Sequence, residues 1–63
     1  MKFTKGDLVK PRKHVAAIAP IWIITGQQTE HDGMQFYTLR PLNNGGECSW
    51  RIQYVEEQYE KID

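Results

Sequence analysis

Apolar residues fall in short runs separated by turn-forming residues. Gly6, Pro11, Pro20, Gly26, Gly33, Pro41 and the Gly45-Gly46 pair punctuate the chain. Such spacing favours short strands joined by turns. The clearest run is Ile21-Trp22-Ile23-Ile24-Thr25, β-branched and aromatic throughout, which suits a pleated surface. Ile21, Ile23 and Thr25 share one face of that strand and Trp22 and Ile24 the other, so both faces are apolar. A first strand is expected at Asp7-Leu8-Val9-Lys10, launched by a turn at Lys5-Gly6-Asp7. Residues 11–20, bounded by Pro11 and Pro20, read as a long loop.

The polar segment Gln27-Gln28-Thr29-Glu30-His31-Asp32-Gly33 ends in Asp-Gly, a hairpin signal. It leads into a third strand, Met34 to Arg40. There Tyr37 and Leu39 share one face, Met34, Phe36 and Thr38 the other, and Pro41 is the expected stop. Asn43-Asn44-Gly45-Gly46 is the strongest turn in the chain. In the fourth strand, Glu47 to Ile52, Cys48, Trp50 and Ile52 alternate with Glu47, Ser49 and Arg51, a half-buried pattern. The tail from Tyr54 to Ile62 carries two readings. Val55, Tyr59 and Ile62 sit at helical spacing, but a short 3₁₀ turn followed by a fifth strand would close a barrel and remove exposed edges. The second reading is preferred.

Length then bounds what these elements can build. Sixty-three residues make one domain, residues 1–63. A chain this size buries only roughly 60% of its unfolded surface, leaving little room for a deep active site. Cys48 is the only cysteine, which excludes an internal disulfide and suits a reducing, cytoplasmic setting. The N-terminus has no apolar h-region, and the longest apolar run, residues 15–24, is too short to span a bilayer. Membrane association is therefore not expected. Net charge is zero but uneven. Lys2, Lys5, Lys10, Arg12 and Lys13 crowd the start, and Glu47, Glu56, Glu57, Glu60 and Asp63 the end. Either the two ends lie together and neutralise each other, or the basic end faces an anionic partner.

The order of elements carries a resemblance. Gly6-Asp7-Leu8-Val9 opens the chain, Ser49-Trp50 precedes an acidic turn, and Tyr59-Glu60-Lys61-Ile62 closes it. In this the chain resembles the SH3-like small barrels, including the KOW and Tudor-like groups, and is similar to small barrels of bacteria and tailed phages. Ala19-Pro20-Ile21-Trp22-Ile23-Ile24-Thr25-Gly26 is similar in layout to the second strand of one bacterial group, without its paired glycines. The glycine that a KOW motif places after the first strand is also missing. The resemblance implies an all-β, five-stranded SH3-like barrel with a long loop after the first strand and a short 3₁₀ turn before the last. It implies almost nothing about role, since one small barrel serves many functions.

Candidate chemistry narrows the field further. His14, His31, Cys48 and Asp32 show no ligand spacing, so neither a metal nor another cofactor is expected. Glu30-His31-Asp32 lies in an expected turn. Cys48 lies mid-strand without a helix N-terminus to activate it, Ser49 lacks an elbow motif, and the side chains of Glu56 and Glu57 diverge. Asn44-Gly45-Gly46-Glu47 lacks the lysine and hydroxyl of a phosphate loop. An enzyme is not expected. A basic loop of Lys10, Arg12, Lys13 and His14, with Trp22 or Phe36 as a stacking platform, would suit nucleic acid or another anion. The near-neutral pI of 6.7 argues the other way. The broadest expectation is an accessory or adaptor module that binds a protein, or a copy of itself, through Trp22, Ile24, Met34 and Phe36. The competing expectation for that apolar surface is that loop 11–20 folds over it. A small inhibitor of a host enzyme is a third reading.

Overall fold

A computed structural model describes residues 2–12, 21–43 and 45–62. The loop expected at 11–20 therefore lies, from Lys13 onward, outside the described residues, as do Lys13 and His14 themselves. The elements run β1 (Leu8–Pro11), β2 (Trp22–Thr29), β3 (Gln35–Pro41), β4 (Cys48–Arg51), α1 (Ile52–Gln58) and β5 (Tyr59–Lys61). All five strands join one antiparallel sheet in the order β4-β3-β2-β1-β5. An all-β chain with one short helix matches the sequence expectation at that level. The ladder leaves β4 and β5 at opposite ends of an open sheet.

Turn chemistry fixes the register. The Asp7 amide donates to the Thr4 carbonyl at 3.0 Å, and the Thr4 amide donates to Asp7 Oδ2 at 2.9 Å. Gly6 sits third in this turn at φ 98°, a conformation that a side chain disfavours. The turn is tied to β2 by Gly6 N to Ile24 O at 2.8 Å and Ile24 N to Asp7 O at 2.9 Å. Between β2 and β3, Glu30 N donates to Met34 O at 2.8 Å, and Asp32 Oδ1 accepts from Met34 N at 2.9 Å. The Asp-Gly signal thus marks a real hairpin.

Several boundaries differ from the sequence reading. β2 runs on to Thr29, because Gln27, Gln28 and Thr29 pair with Tyr37, Phe36 and Gln35. Their polarity reflects the solvated arm of a long hairpin rather than a loop. A bulge between Ile24 and Gly26 lets the strand turn there. Both prolines expected to bound strands instead occupy last strand positions, Pro11 opposite Tyr59 and Pro41 opposite Trp22. β4 stops at Arg51, and Ile52 opens a helix in place of the expected 3₁₀ turn. That helix turns Val55 into the core, and the Tyr59 amide closes it by donating to the Val55 carbonyl. The expected fifth strand follows directly and pairs with β1.

One face of the sheet and α1 enclose the core of Phe3, Val9, Ile24, Tyr37, Leu39 and Val55, with Trp22, Cys48, Ile52 and Tyr59 packed around it. Register explains the membership: Val9 opposes Trp22, Ile24 opposes Leu39, and Leu39 opposes Cys48. The opposite face carries Leu8, Ile23, Thr38 and Phe36, all half-buried. The charged ends also meet. Lys10 lies opposite Glu60, and Lys61 Nζ is 3.7 Å from Asp7 Oδ1.

Candidate functional site

Large apolar side chains left in solvent are the first places to look for a contact surface. Three are exposed among the described residues: Leu42 at 49%, Trp50 at 44% and Tyr54 at 46%. Leu42 stands alone after β3. Trp50 and Tyr54 stand together, with ring centroids 5.3 Å apart and planes tilted by 33°. The pairing straddles the end of β4. Trp50 points to the core side of the sheet, opposite the fully buried Tyr37, but β4 is an edge strand and, among the described residues, no further strand lies beyond it to cover the indole. The first turn of α1 then lifts Tyr54 onto the ring. Trp50 Nε1 donates to Cys48 Sγ at 3.1 Å, which holds the indole over its own strand.

A second aromatic pair continues this side of the core. Trp22 on β2 meets Tyr59 on β5 edge to face, with centroids 6.3 Å apart and planes at 82°. Burial pushes the Tyr59 hydroxyl above the usual tyrosine range, and the nearby Tyr54 and Cys48 add to the effect. Tyr59 therefore lies in the neighbourhood of Tyr54 and Cys48 as well as against Trp22. The result is an aromatic border, half-buried at Trp22 and Tyr59 and open at Trp50 and Tyr54.

Below this border a polar network anchors the N-terminal segment. Tyr37, whose side chain is buried, donates its hydroxyl to Glu56 Oε2 at 2.8 Å and accepts from the Phe3 amide at 3.1 Å. The Lys2 amide donates to the same Glu56 oxygen at 2.9 Å. The Lys2 amide first, and the Tyr37 hydroxyl second, hold the Glu56 carboxyl below its ordinary value. Burial, above all, raises the Tyr37 hydroxyl. On the opposite face, Thr25 Oγ1 lies 2.9 Å from Thr38 Oγ1 and 2.7 Å from Glu47 Oε2. A single hydroxyl hydrogen serves one of them, so Thr25 donates to the carboxylate and accepts from Thr38.

The residues singled out from the sequence do not form one surface. Ile24 is fully buried, so it belongs to the core and offers nothing to a partner. Trp22 shares its face, at the margin of that core. Phe36 lies on the opposite side of the sheet, and Met34 sits half-buried in the hairpin connection. The sequence grouping failed because the four alternate correctly within each strand, while register places the Trp22–Ile24 face against Tyr37 and Leu39 rather than Phe36. Of the basic set, Lys10 and Arg12 are exposed, but Lys10 lies opposite Glu60. That cross-strand neighbour offsets its charge. Among the described residues, no three His, Cys, Asp or Glu side chains converge as metal ligands, and no helix is long and apolar enough to cross a membrane. Trp50 and Tyr54 escaped the sequence reading because their four-residue separation spans a strand end and a helix start, which no single period describes.

No family model, no curated protein and no solved structure matches the chain.

Proposed function

We propose that this chain is a non-enzymatic interaction module, an accessory or adaptor domain that binds a protein or a second copy of itself through the corner formed by Trp50 and Tyr54. The carrying observation is that two large aromatic rings, stacked on each other, stand more than two-fifths exposed at the end of an edge strand. Aromatic residues are enriched at the centres of protein interfaces, where they bring large area at low conformational cost. Both rings are already fixed, Trp50 by Cys48 and each by the other, so little ordering entropy remains to be lost on binding.

The fold proposed with this role is an SH3-like barrel. The first and last strands lie side by side, and a short helical segment joins the two strands at the ends of the order β4-β3-β2-β1-β5. The setting proposed is the cytoplasm, which suits the free Cys48. A direct test compares the proteins retained by the immobilised native chain and by its Trp50→Ala and Tyr54→Ala variants. Proteins held by the first and lost by both variants support the role. Identical retention by folded native and variant chains contradicts it.

A further inference from the structure

An interaction corner on an edge strand raises the question of what covers it, and β4 carries its own answer. Natural sheets blunt their edges with lysine, proline, bulges or very short strands. The edge strand β5 is three residues long and carries Lys61, which reaches toward Asp7. β4, four residues long, is nearly as short, but it has no lysine or proline and its ladder with β3 runs without a register shift. The charges at its two ends, Glu47 just before the strand and Arg51 its last residue, are instead placed for self-pairing. Glu47 and Arg51 sit symmetrically about Ser49. In an antiparallel pairing of two β4 edges centred on Ser49, Glu47 of each copy lies opposite Arg51 of the other, and Cys48 lies opposite Trp50. Opposite charges directly across such a pair stabilise it, while like charges oppose it.

We propose that the occupant of this corner is a second copy of the chain, joined through β4 by a two-fold axis at Ser49 into a continuous ten-stranded sheet. The inference rests on the reading of the Trp50–Tyr54 corner as a contact surface and names its partner. The same register makes the two Trp50 residues diagonal neighbours across the axis, at a separation of roughly 7–8 Å that aromatic side chains span. Each copy's exposed aromatic pair thus covers the other's. Glu47 Oε2 accepts from Thr25 on β2, across β3, so pairing with the partner's Arg51 requires that carboxylate to swing outward from Thr25. Five paired residues from each copy bury less area than a permanent dimer needs, so association is in the micromolar to millimolar range and depends on concentration. A two-fold contact is closed, which limits assembly to two copies.

The register makes the proposal testable at single residues. In a Cys48→Ser background, Ser49→Cys places two thiols directly opposite each other, about 4.5–5.5 Å apart at Cα. That separation lies within disulfide reach. Mild oxidation should give a disulfide-linked dimer, faster as concentration rises. Arg51→Cys in the same background puts its two copies roughly 14 Å apart. It should stay monomeric on a non-reducing gel. Sedimentation of the native chain should show a monomer–dimer equilibrium. Glu47→Arg and Arg51→Glu should each weaken it about tenfold or more, and the double swap should restore it to within about threefold. A native chain that stays monomeric at millimolar concentration overturns the proposal. So does assembly that grows beyond two copies, which would signal open-ended β4-to-β5 addition. So does cross-linking of Arg51→Cys as fast as Ser49→Cys. If the chain is monomeric and yet Trp50→Ala loses a protein that the native chain retains, the dimer is wrong and the contact surface stands.

Discussion

Replacing Tyr37 with phenylalanine tests how the N-terminal segment is held. The ring of Tyr37 is fully buried and packs on Phe3 at 5.7 Å between centroids. Tyr37→Phe keeps that packing and removes one oxygen. Two bonds go with it: the Phe3 amide loses its acceptor at 3.1 Å, and Glu56 loses a donor at 2.8 Å. A buried amide left without a partner costs about 1–3 kcal/mol. The bond to Glu56 adds less than a fully buried charged bond would, because that carboxylate is partly in water. The net loss is about 2 kcal/mol. Total stability for 63 residues is roughly 3–9 kcal/mol, so this is a large fraction. The melting temperature should fall by roughly 8–16 °C. Urea unfolding followed by far-ultraviolet circular dichroism should show a lower midpoint with an unchanged slope. In a cycle with Glu56→Gln, which leaves an acceptor but removes its charge, the two losses should be less than additive, since both weaken the same bond. A change below about 0.5 kcal/mol, typical of a featureless surface substitution, would refute the idea that this hydroxyl anchors the segment.

Other expectations follow from the same contacts. The Glu56 carboxyl is lowered on folding, so its stabilisation is complete above the unfolded value and is lost as pH falls through the folded one. Acid titration of stability should therefore be flatter in Glu56→Gln than in the native chain, and equal slopes would contradict that role. The Tyr37 and Tyr59 hydroxyls are raised, so their contribution is intact below the ordinary tyrosine value and disappears as pH rises through their folded values. Ultraviolet difference titration should find the Tyr37 and Tyr59 ionisations displaced above the ordinary tyrosine value. Gly45→Ala drives a methyl group into the Pro41 ring and should cost about 1–3 kcal/mol in urea unfolding. Ile24→Ala empties a fully buried site and should cost about 2–5 kcal/mol. Trp50→Ala, at a ring 44% exposed, should cost much less in the same assay.

Local patterning made most of the strands legible. Leu8-Val9, the Trp22–Thr25 run and the Asp32-Gly33 turn sit where their chemistry predicts, while Cys48 to Arg51 form the expected strand without the expected half-buried alternation, since Trp50 is exposed and Ile52 opens α1. The hidden parts depend on long-range pairing. Gln27 to Thr29 read as a loop because a hairpin arm that buries neither face carries no apolar signal. α1 has only Ile52 and Val55 facing inward, too few to set a helical period against the competing strand pattern. The double-sided apolar character of Ile21–Thr25 was visible, but which third-strand face it meets is a matter of register. No local feature reports that Tyr37 reaches Glu56 across nineteen positions, or that Tyr54 lands on Trp50. The meeting of Lys10 with Glu60, in contrast, follows the charge asymmetry of the two ends.

Side-chain hydroxyl-radical footprinting of the native chain, dilute and concentrated, asks most directly whether the Trp50–Tyr54 corner is a contact surface. A surface that pairs with itself through β4 should protect Trp50 and Tyr54 severalfold as concentration rises, while Phe36 and Met34 keep the same oxidation rate. Equal oxidation of Trp50 and Tyr54 at both concentrations, or protection centred on Phe36 and Met34, would contradict it.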